Sequence, residues 1–214
     1  MLGLGLLRRL VGWHRPDPLV GLDPARLRLI VGLGNPGPEY ASTRHNVGFR
    51  CVEELARRCG VGWQDEVERS RSFVAAAQSG EVSLVLAKPQ TFMNRSGAAV
   101  RALLDRLEVG PERALVVYDD MDLPFGTLRL RERGSPGTHN GMRSVVAALD
   151  SQEIARLRIG IGQAAPGEAT PHVLSEFGPE EQPQVDELIG RAADAALAWA
   201  TEGAATAMNR YNGA

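Results

Sequence analysis

Leu27-Arg28-Leu29-Ile30-Val31-Gly32-Leu33-Gly34-Asn35-Pro36-Gly37 (residues 27–37) decides the fold. Its first seven residues are mostly apolar and include branched side chains, the composition of a short strand buried in a sheet. Gly34, Pro36 and Gly37 then stop the strand in a tight polar turn. A helical pattern follows over 46–58, with Val47, Cys51 and Leu55 on one side and charges on the other. Buried strand, turn and amphipathic helix, in that order, open an α/β sheet.

The rest of the chain repeats the theme. Strands are predicted over 73–78 and 82–87, joined by a turn at Ser79-Gly80, and over 114–118, 127–131 and 157–161. Helices are predicted over 96–107, 141–149, 183–200 and 204–209. The alternation predicts a single α/β domain with a mixed, mostly parallel sheet sandwiched by helices, the pair at 73–87 supplying the antiparallel part. This domain is expected to span 27–214, and residues 1–26 are expected to form a poorly ordered N-terminal extension. Met1 to Trp13 is apolar but carries Arg8 and Arg9. The apolar run is too short for a membrane span, and its charges follow it, the reverse of a signal peptide. Arginine without acid before Asp17 suits a transit peptide, while the lack of serine does not. A short amphipathic extension, or a misplaced start codon, is the plainer reading.

Composition narrows the chemistry. With 43% hydrophobic residues among 214, the chain has enough apolar surface for a core. A net charge of −2 excludes a uniformly polybasic nucleic-acid binder, so any such site must come from local clustering. Cys51 and Cys59 lie on one predicted helix, about 12 Å apart along its axis, too far for a disulfide. No cysteine or histidine pair has zinc-site spacing. The expectation is a cytoplasmic protein with no metal and no cofactor.

In an open α/β sheet, sites gather beyond the carboxyl ends of the strands. Three predicted strands end there in polar loops: Gly34 to Gly37, Lys88 to Asn94, and Asp119 to Asp122. As parallel neighbours they would bring Asn35, Asn94 and Asp119 together, with His45 overhanging the crevice. Gly32-Leu33-Gly34-Asn35-Pro36-Gly37 matches the dinucleotide fingerprint by letter. Its context fails, because Pro36 and Pro38 remove backbone donors and the helix resumes only near Asn46. A tight turn that needs glycine accounts for Gly34 and Gly37.

His45 has the proton affinity of a general base, and Asp119 at a strand end is placed to hold its ring. The plainer alternatives are a capping histidine and a pair of turn acids or magnesium ligands at Asp119-Asp120. No serine or cysteine stands in a nucleophile-elbow context, so direct attack by water is the simpler hydrolytic route. Asn35, Asn46, Asn94 and Asn140 crowd the same mouth; each offers a donor and an acceptor, although asparagine is common in turns and caps. Asn46 starts a helix and reads as structural, and Met93 as packing. In 127–133, Arg129, Arg131 and Arg133 alternate with Leu128 and Leu130, giving one basic strand face beside a glycine-containing loop. That face suits phosphate, or is merely solvated.

Taken together, VGLGNPGPEYASTRHNVGF (31–49), KPQTFMNRSG (88–97), DDMDLPFG (119–126), THNGMRS (138–144) and LRIGIG (157–162) resemble the bacterial-type peptidyl-tRNA hydrolase family. The resemblance implies a single α/β globule acting as a monomer on peptidyl-tRNA, cutting the ester between peptide and terminal ribose. It implies His45 as the base that activates water, Asp119 as its stabiliser, and Asn35 as the group distinguishing a blocked from a free amino group. Tyr40, Phe92, Asn94 and Asn140 would bind the tRNA end and first peptide units. Arg129, Arg131 and Arg158 would meet acceptor-arm phosphates. No metal, cofactor or membrane is implied. The loop Ser135–Thr138 departs from the more glycine-rich run of many relatives, as does the added N-terminal tail. Two other classes compete: a non-catalytic RNA-binding relative, and a nucleotide-dependent oxidoreductase suggested by the glycine pattern alone.

Overall fold

The computed structural model describes residues 17–213. β1 (Leu27–Gly32) lies mid-sheet, where all but Arg28 of its side chains are buried. It runs parallel to β4 (Val82–Pro89) on one side and to β5 (Ala114–Asp120) on the other. β7 (Ala155–Gly160) continues the parallel part beside β5. Antiparallel strands close both ends: β3 (Ser72–Ser79) and β2 (Gln64–Glu66) beyond β4, and β6 (Leu128–Arg131) beyond β7. The order is β2-β3-β4-β1-β5-β7-β6. The expected mixed sheet is present, with its parallel strands gathered in the centre.

Strand alternation divides the core into two layers. Ile30, Leu115, Val117 and Leu157 face α1 (Val47–Arg58), α6 (Gln182–Glu202) and α7 (Ala204–Tyr211). Leu29, Val31, Val85 and Val116 face α3 (Ser96–Leu107) and α4 (Asn140–Leu149). Three short elements had no pattern long enough to predict them: β2, α2 (Val67–Ser70) and α5 (Ala169–Leu174). β5 runs two residues past its expected end because Asp119 and Asp120 pair in register with Ile159 and Gly160. The free edge of β6 meets the Asn212 side chain. Its oxygen accepts from the Leu130 N–H at 2.6 Å, and its amide donates to the Leu130 carbonyl at 3.2 Å.

Packing begins ahead of residue 27. Leu19 is buried in the α3 layer, and its N–H donates to Asp17 Oδ1. The Asp17 carboxylate also pairs with Arg69 at 3.0 Å and with Arg106. The remainder of the expected extension, residues 1–16, lies outside the described residues.

What positions the site is the approach of α1 to the sheet. A Cβ on Gly48 would stand 2.4 Å from the Val117 carbonyl oxygen and 2.5 Å from that of Leu33. A Cβ on Gly32 would stand 2.1 Å from the Gly48 carbonyl oxygen. Both obstacles are backbone, which cannot rotate away. Gly48→Ala should therefore lower stability by about 1–3 kcal/mol or more through overpacking, despite alanine's better helix propensity. A urea midpoint equal to the parent's would show that α1 can retreat without cost.

Candidate active site

The loops after β1, β4 and β5 converge as expected. The three residues Arg44–Asn46 form a single 3-10 turn before α1, and this turn lays His45 against the end of β5. His45 is 8% exposed and Asp119 1% exposed, and His45 Nδ1 lies 2.8 Å from Asp119 Oδ1. A second imidazole reaches the same oxygen: His139 Nε2 stands 3.0 Å away. His139 is also the cap of α4, and its Nδ1 accepts the Met142 N–H at 3.2 Å.

These contacts assign the protons. A carboxylate only accepts, so each imidazole nitrogen facing Asp119 must carry hydrogen. For His139 this agrees with Nδ1 accepting from the backbone, and both its nitrogens are then committed. For His45 the hydrogen sits on Nδ1, and Nε2 keeps its lone pair. His139, the other histidine near the crevice, therefore holds Asp119 in place, while His45 has a nitrogen to offer.

Burial alone would raise the Asp119 carboxyl, but the charge and hydrogen bonds of the two imidazoles outweigh it and hold the group well below the ordinary carboxylate range. His45, Asp119 and His139 also bring three metal-ligand atoms within 4.8 Å of one another. A cation among them would need His139 Nε2 stripped of hydrogen. The proton would then sit on Nδ1, pointing at the Met142 N–H. The hydrogen-bonded arrangement satisfies every group, and the coordinated one does not.

Asn35 is built in with equal care. Its backbone N–H donates to Asn46 Oδ1 at 2.8 Å, and Asn46 Nδ2 returns a bond to the Asn35 carbonyl at 3.0 Å. The Asn35 side-chain oxygen accepts the Met93 N–H at 2.8 Å. Its amide nitrogen is thereby turned outward as a donor. Asn46 is structural, as its helix-start position suggested, and what it structures is the site loop.

Two depressions meet at His45. One, of about 540 Å³, is lined by Asn35, Phe92, Asn94 and Asn140 together with Val173 and Leu174 of α5. The other, of about 380 Å³, is lined by Asp119, Asp120, His139 and the arginines 131, 133, 156 and 158. Tyr40 borders neither; it packs edge-on against Phe92 with ring centroids 6.3 Å apart. Arg131 faces the basic depression, while Arg129 lies exposed on β6 outside it. Arg158 is not a free cation, because its guanidinium pairs with the nearly buried Asp120. Asp120 in turn accepts the Asp122 N–H at 2.8 Å.

Three contributors escaped the sequence reading. α5 supplies Thr170, Val173 and Leu174 from a six-residue helix with no periodicity to detect. Arg156 is 2% exposed and donates to the carbonyls of Gly134, Ser135, Gln152 and Ile154. It fixes the wall of the basic depression, and a strand pattern gives no hint of an arginine buried this way. His139 is the third, and its place at a predicted helix start is the available signal for its capping role.

A family profile described as peptidyl-tRNA hydrolase matches residues 29–214. The chain belongs to the peptidyl-tRNA hydrolase family. Among relatives, the peptidyl-tRNA hydrolase of Chloroflexus aurantiacus is 54% identical over 187 residues, covering 86% of this chain and 98% of that one. That of a Synechococcus species is 49% identical over 191 residues, covering 89% and 84%. The crystal structure of the Acinetobacter baumannii peptidyl-tRNA hydrolase superposes with a TM-score of 0.82 at 34% identity, covering 91% of this chain and all of that one. The family match begins two residues after the predicted domain start and leaves out the segment around Asp17 and Leu19.

The depressed Asp119 pKa sets a pH window for stability. Its folded value lies below an unfolded value near 4, so its contribution is present above about pH 4 and is lost as pH falls through the folded value. The urea midpoints of the parent and Asp119→Asn should differ fully at about pH 5 to 7 and converge below about pH 4. A gap that stays constant into strong acid would show that the carboxylate gains nothing from its two imidazoles.

Proposed function

We propose that the chain hydrolyses the ester joining a peptide, or an N-blocked aminoacyl group, to the 3′-terminal ribose of tRNA. The observation that carries this reading is the free Nε2 of a His45 whose other nitrogen is held by Asp119. A water beside Nε2 gives its proton to His45 as its oxygen bonds to the ester carbonyl carbon. Asp119 stabilises the imidazolium so formed. Collapse of the tetrahedral species breaks the bond to the ribose oxygen, which takes the proton back from His45. The products are a free peptide carboxyl and a ribose hydroxyl.

The outward amide N–H of Asn35 supports its assigned role. It offers a donor, which suits the carbonyl of a blocked amino group and not an ammonium, itself only a donor. Phe92, Asn94 and Asn140 line the depression proposed for the peptide and the terminal nucleotide, and Tyr40 braces Phe92. The basic depression across His45 suits the anionic tRNA end, with Arg131 in its wall and Arg129 on the same strand. Arg158 adds positive charge there but, tied to Asp120, is a weaker candidate for a direct phosphate contact. Residues 27–214 supply every group named. We read the protein as a monomer, because one chain completes the site, working in the cytoplasm where such substrates arise. No helix among the described residues is long and apolar enough to cross a membrane. The committed hydrogen bonds around Asp119 support a route without metal or cofactor, and a chelator should leave the rate unchanged.

His45→Ala should lower kcat by about 100- to 10,000-fold while leaving tRNA affinity near the parent value. Asp119→Asn should fall by a comparable factor, because the asparagine amide can donate to Nδ1 and drive the proton onto Nε2. Release of labelled peptide from N-acetyl-aminoacyl-tRNA measures both; a near-parent rate in His45→Ala removes His45 as the base. Arg129→Ala with Arg131→Ala should raise KM for full-length tRNA substrate and flatten its salt dependence, with little change on a terminal-nucleotide ester. Equal losses on both substrates would place these arginines in the catalytic step or the fold.

A further inference from the structure

A third depression, of about 500 Å³, opens on the side of Phe92 away from His45. It shares Phe92, Asn94 and Arg95 with the depression at His45, so the two adjoin along these residues. Its far wall carries Arg71, and its lining contains no acidic residue. The ion pairs of this region belong to Arg69, which meets Glu66 and Asp17. Arg71 and Arg95 have no carboxylate partner among the described residues. Arg71 is moreover fixed with a left-handed backbone, φ 55°, at the end of α2. Its N–H bonds back to the Val67 carbonyl at 3.0 Å, and its own carbonyl accepts the Gln90 N–H at 2.7 Å. A non-glycine residue in that conformation is costly and persists where its surroundings dictate it. Thr91 is among the lining residues, and its Oγ1 is buried without a hydrogen-bond partner among the described residues. The groove thus offers two cationic heads.

We propose that this end of the groove is a subsite for an acidic side chain of the peptide, lying ahead of the residue that bears the ester. The inference rests on the reading of the chain as a peptidyl-tRNA hydrolase. A substrate whose ester sits at His45 must leave in two directions, nucleotide one way and peptide the other. The depression holding Arg131 and Arg133 suits the nucleotide, so the peptide follows Asn35, Asn94 and Phe92 toward Arg71. Peptide residues next to the ester lie in the depression at His45, which Arg95 also borders, and those further along reach the end where Arg71 joins it. A carboxylate there meets two exposed guanidinium groups, and an uncharged isostere forgoes the attraction between opposite charges.

The test uses the full chain and a non-hydrolysable probe, N-acetyl pentapeptides joined by an amide to 3′-amino-3′-deoxyadenosine. Aspartate is placed at each peptide position in turn and compared with asparagine by calorimetry. The aspartate probe should bind about three- to tenfold more tightly at one position beyond the residue joined to the nucleoside, and the ratio should shrink with salt. The ratio should fall to about one in Arg71→Gln with Arg95→Gln. With both arginines changed to glutamate, lysine should replace aspartate as the preferred residue at that position. The proposal is overturned if no position prefers aspartate, or if the preference survives in the double glutamine variant. It is also overturned if that variant keeps the ratio and weakens deacylated tRNA instead, for the arginines would then serve nucleic-acid phosphate. Ester hydrolysis of the neutral peptide is read separately. Its absence would sink the hydrolase reading while the aspartate-to-asparagine binding ratio still decided the subsite.

Discussion

One buried oxygen organises the site. Asp119 Oδ1 accepts from His45 and from His139, and each imidazole is fixed at a different point of the fold. His45 comes from the turn that precedes α1, and His139 from the cap of α4. Helices packed on opposite faces of the sheet are therefore joined through the end of β5. The carboxylate is buried almost completely, so it tolerates neither a missing donor nor an extra acceptor. That demand fixes the tautomer of both rings, and through them the direction in which His45 presents its lone pair.

A second constraint runs through the loops after β1 and β4. Asn46 holds the Asn35 backbone by two bonds, and Asn35 holds the Met93 backbone by one. Met93 then lies next to the helix that His139 caps, since a Cβ on Gly141 would come 2.6 Å from its sulfur. The loops after β1 and β4 and the start of α4 thus share one network with few adjustable parts. Such a site is preorganised by bonds to backbone groups, which hold its side chains in place before substrate arrives.

Much of this was legible in the sequence because it follows from period and punctuation. The buried run 27–33, the turn at Gly34 to Gly37 and the helix after Asn46 predicted the β1–α1 unit nearly residue for residue. His45 and Asp119 could be paired on paper because strand ends in a parallel sheet lie on one side. Long-range polar contacts were not legible. Nothing in the spacing of Asp120 and Arg158 shows that their charges cancel, and nothing near Arg156 announces four carbonyl partners. Short elements such as α5 carry too few residues for periodicity, and their place is set by the neighbours they cover. The boundary at residue 27 was read from a strand pattern, which is silent about how Leu19 and Asp17 use the surface of α3.

The side chain of Asn212 bears on a different property of the molecule. An amide group has the same donor and acceptor as a peptide unit, and here it is laid against Leu130 as a neighbouring strand would be. β6 is the last strand at its end of the sheet, so its outward hydrogen-bonding groups are the natural landing place for another extended chain. A single asparagine, carried on the turn after α7, occupies that place with one residue's worth of pairing. The Gly213 N–H adds a long bond to the Leu128 carbonyl beside it. The far end of the chain therefore acts as a stopper on strand addition. An edge covered in this way presents fewer open groups to a second molecule, a matter of colloidal behaviour separate from the chemistry at His45.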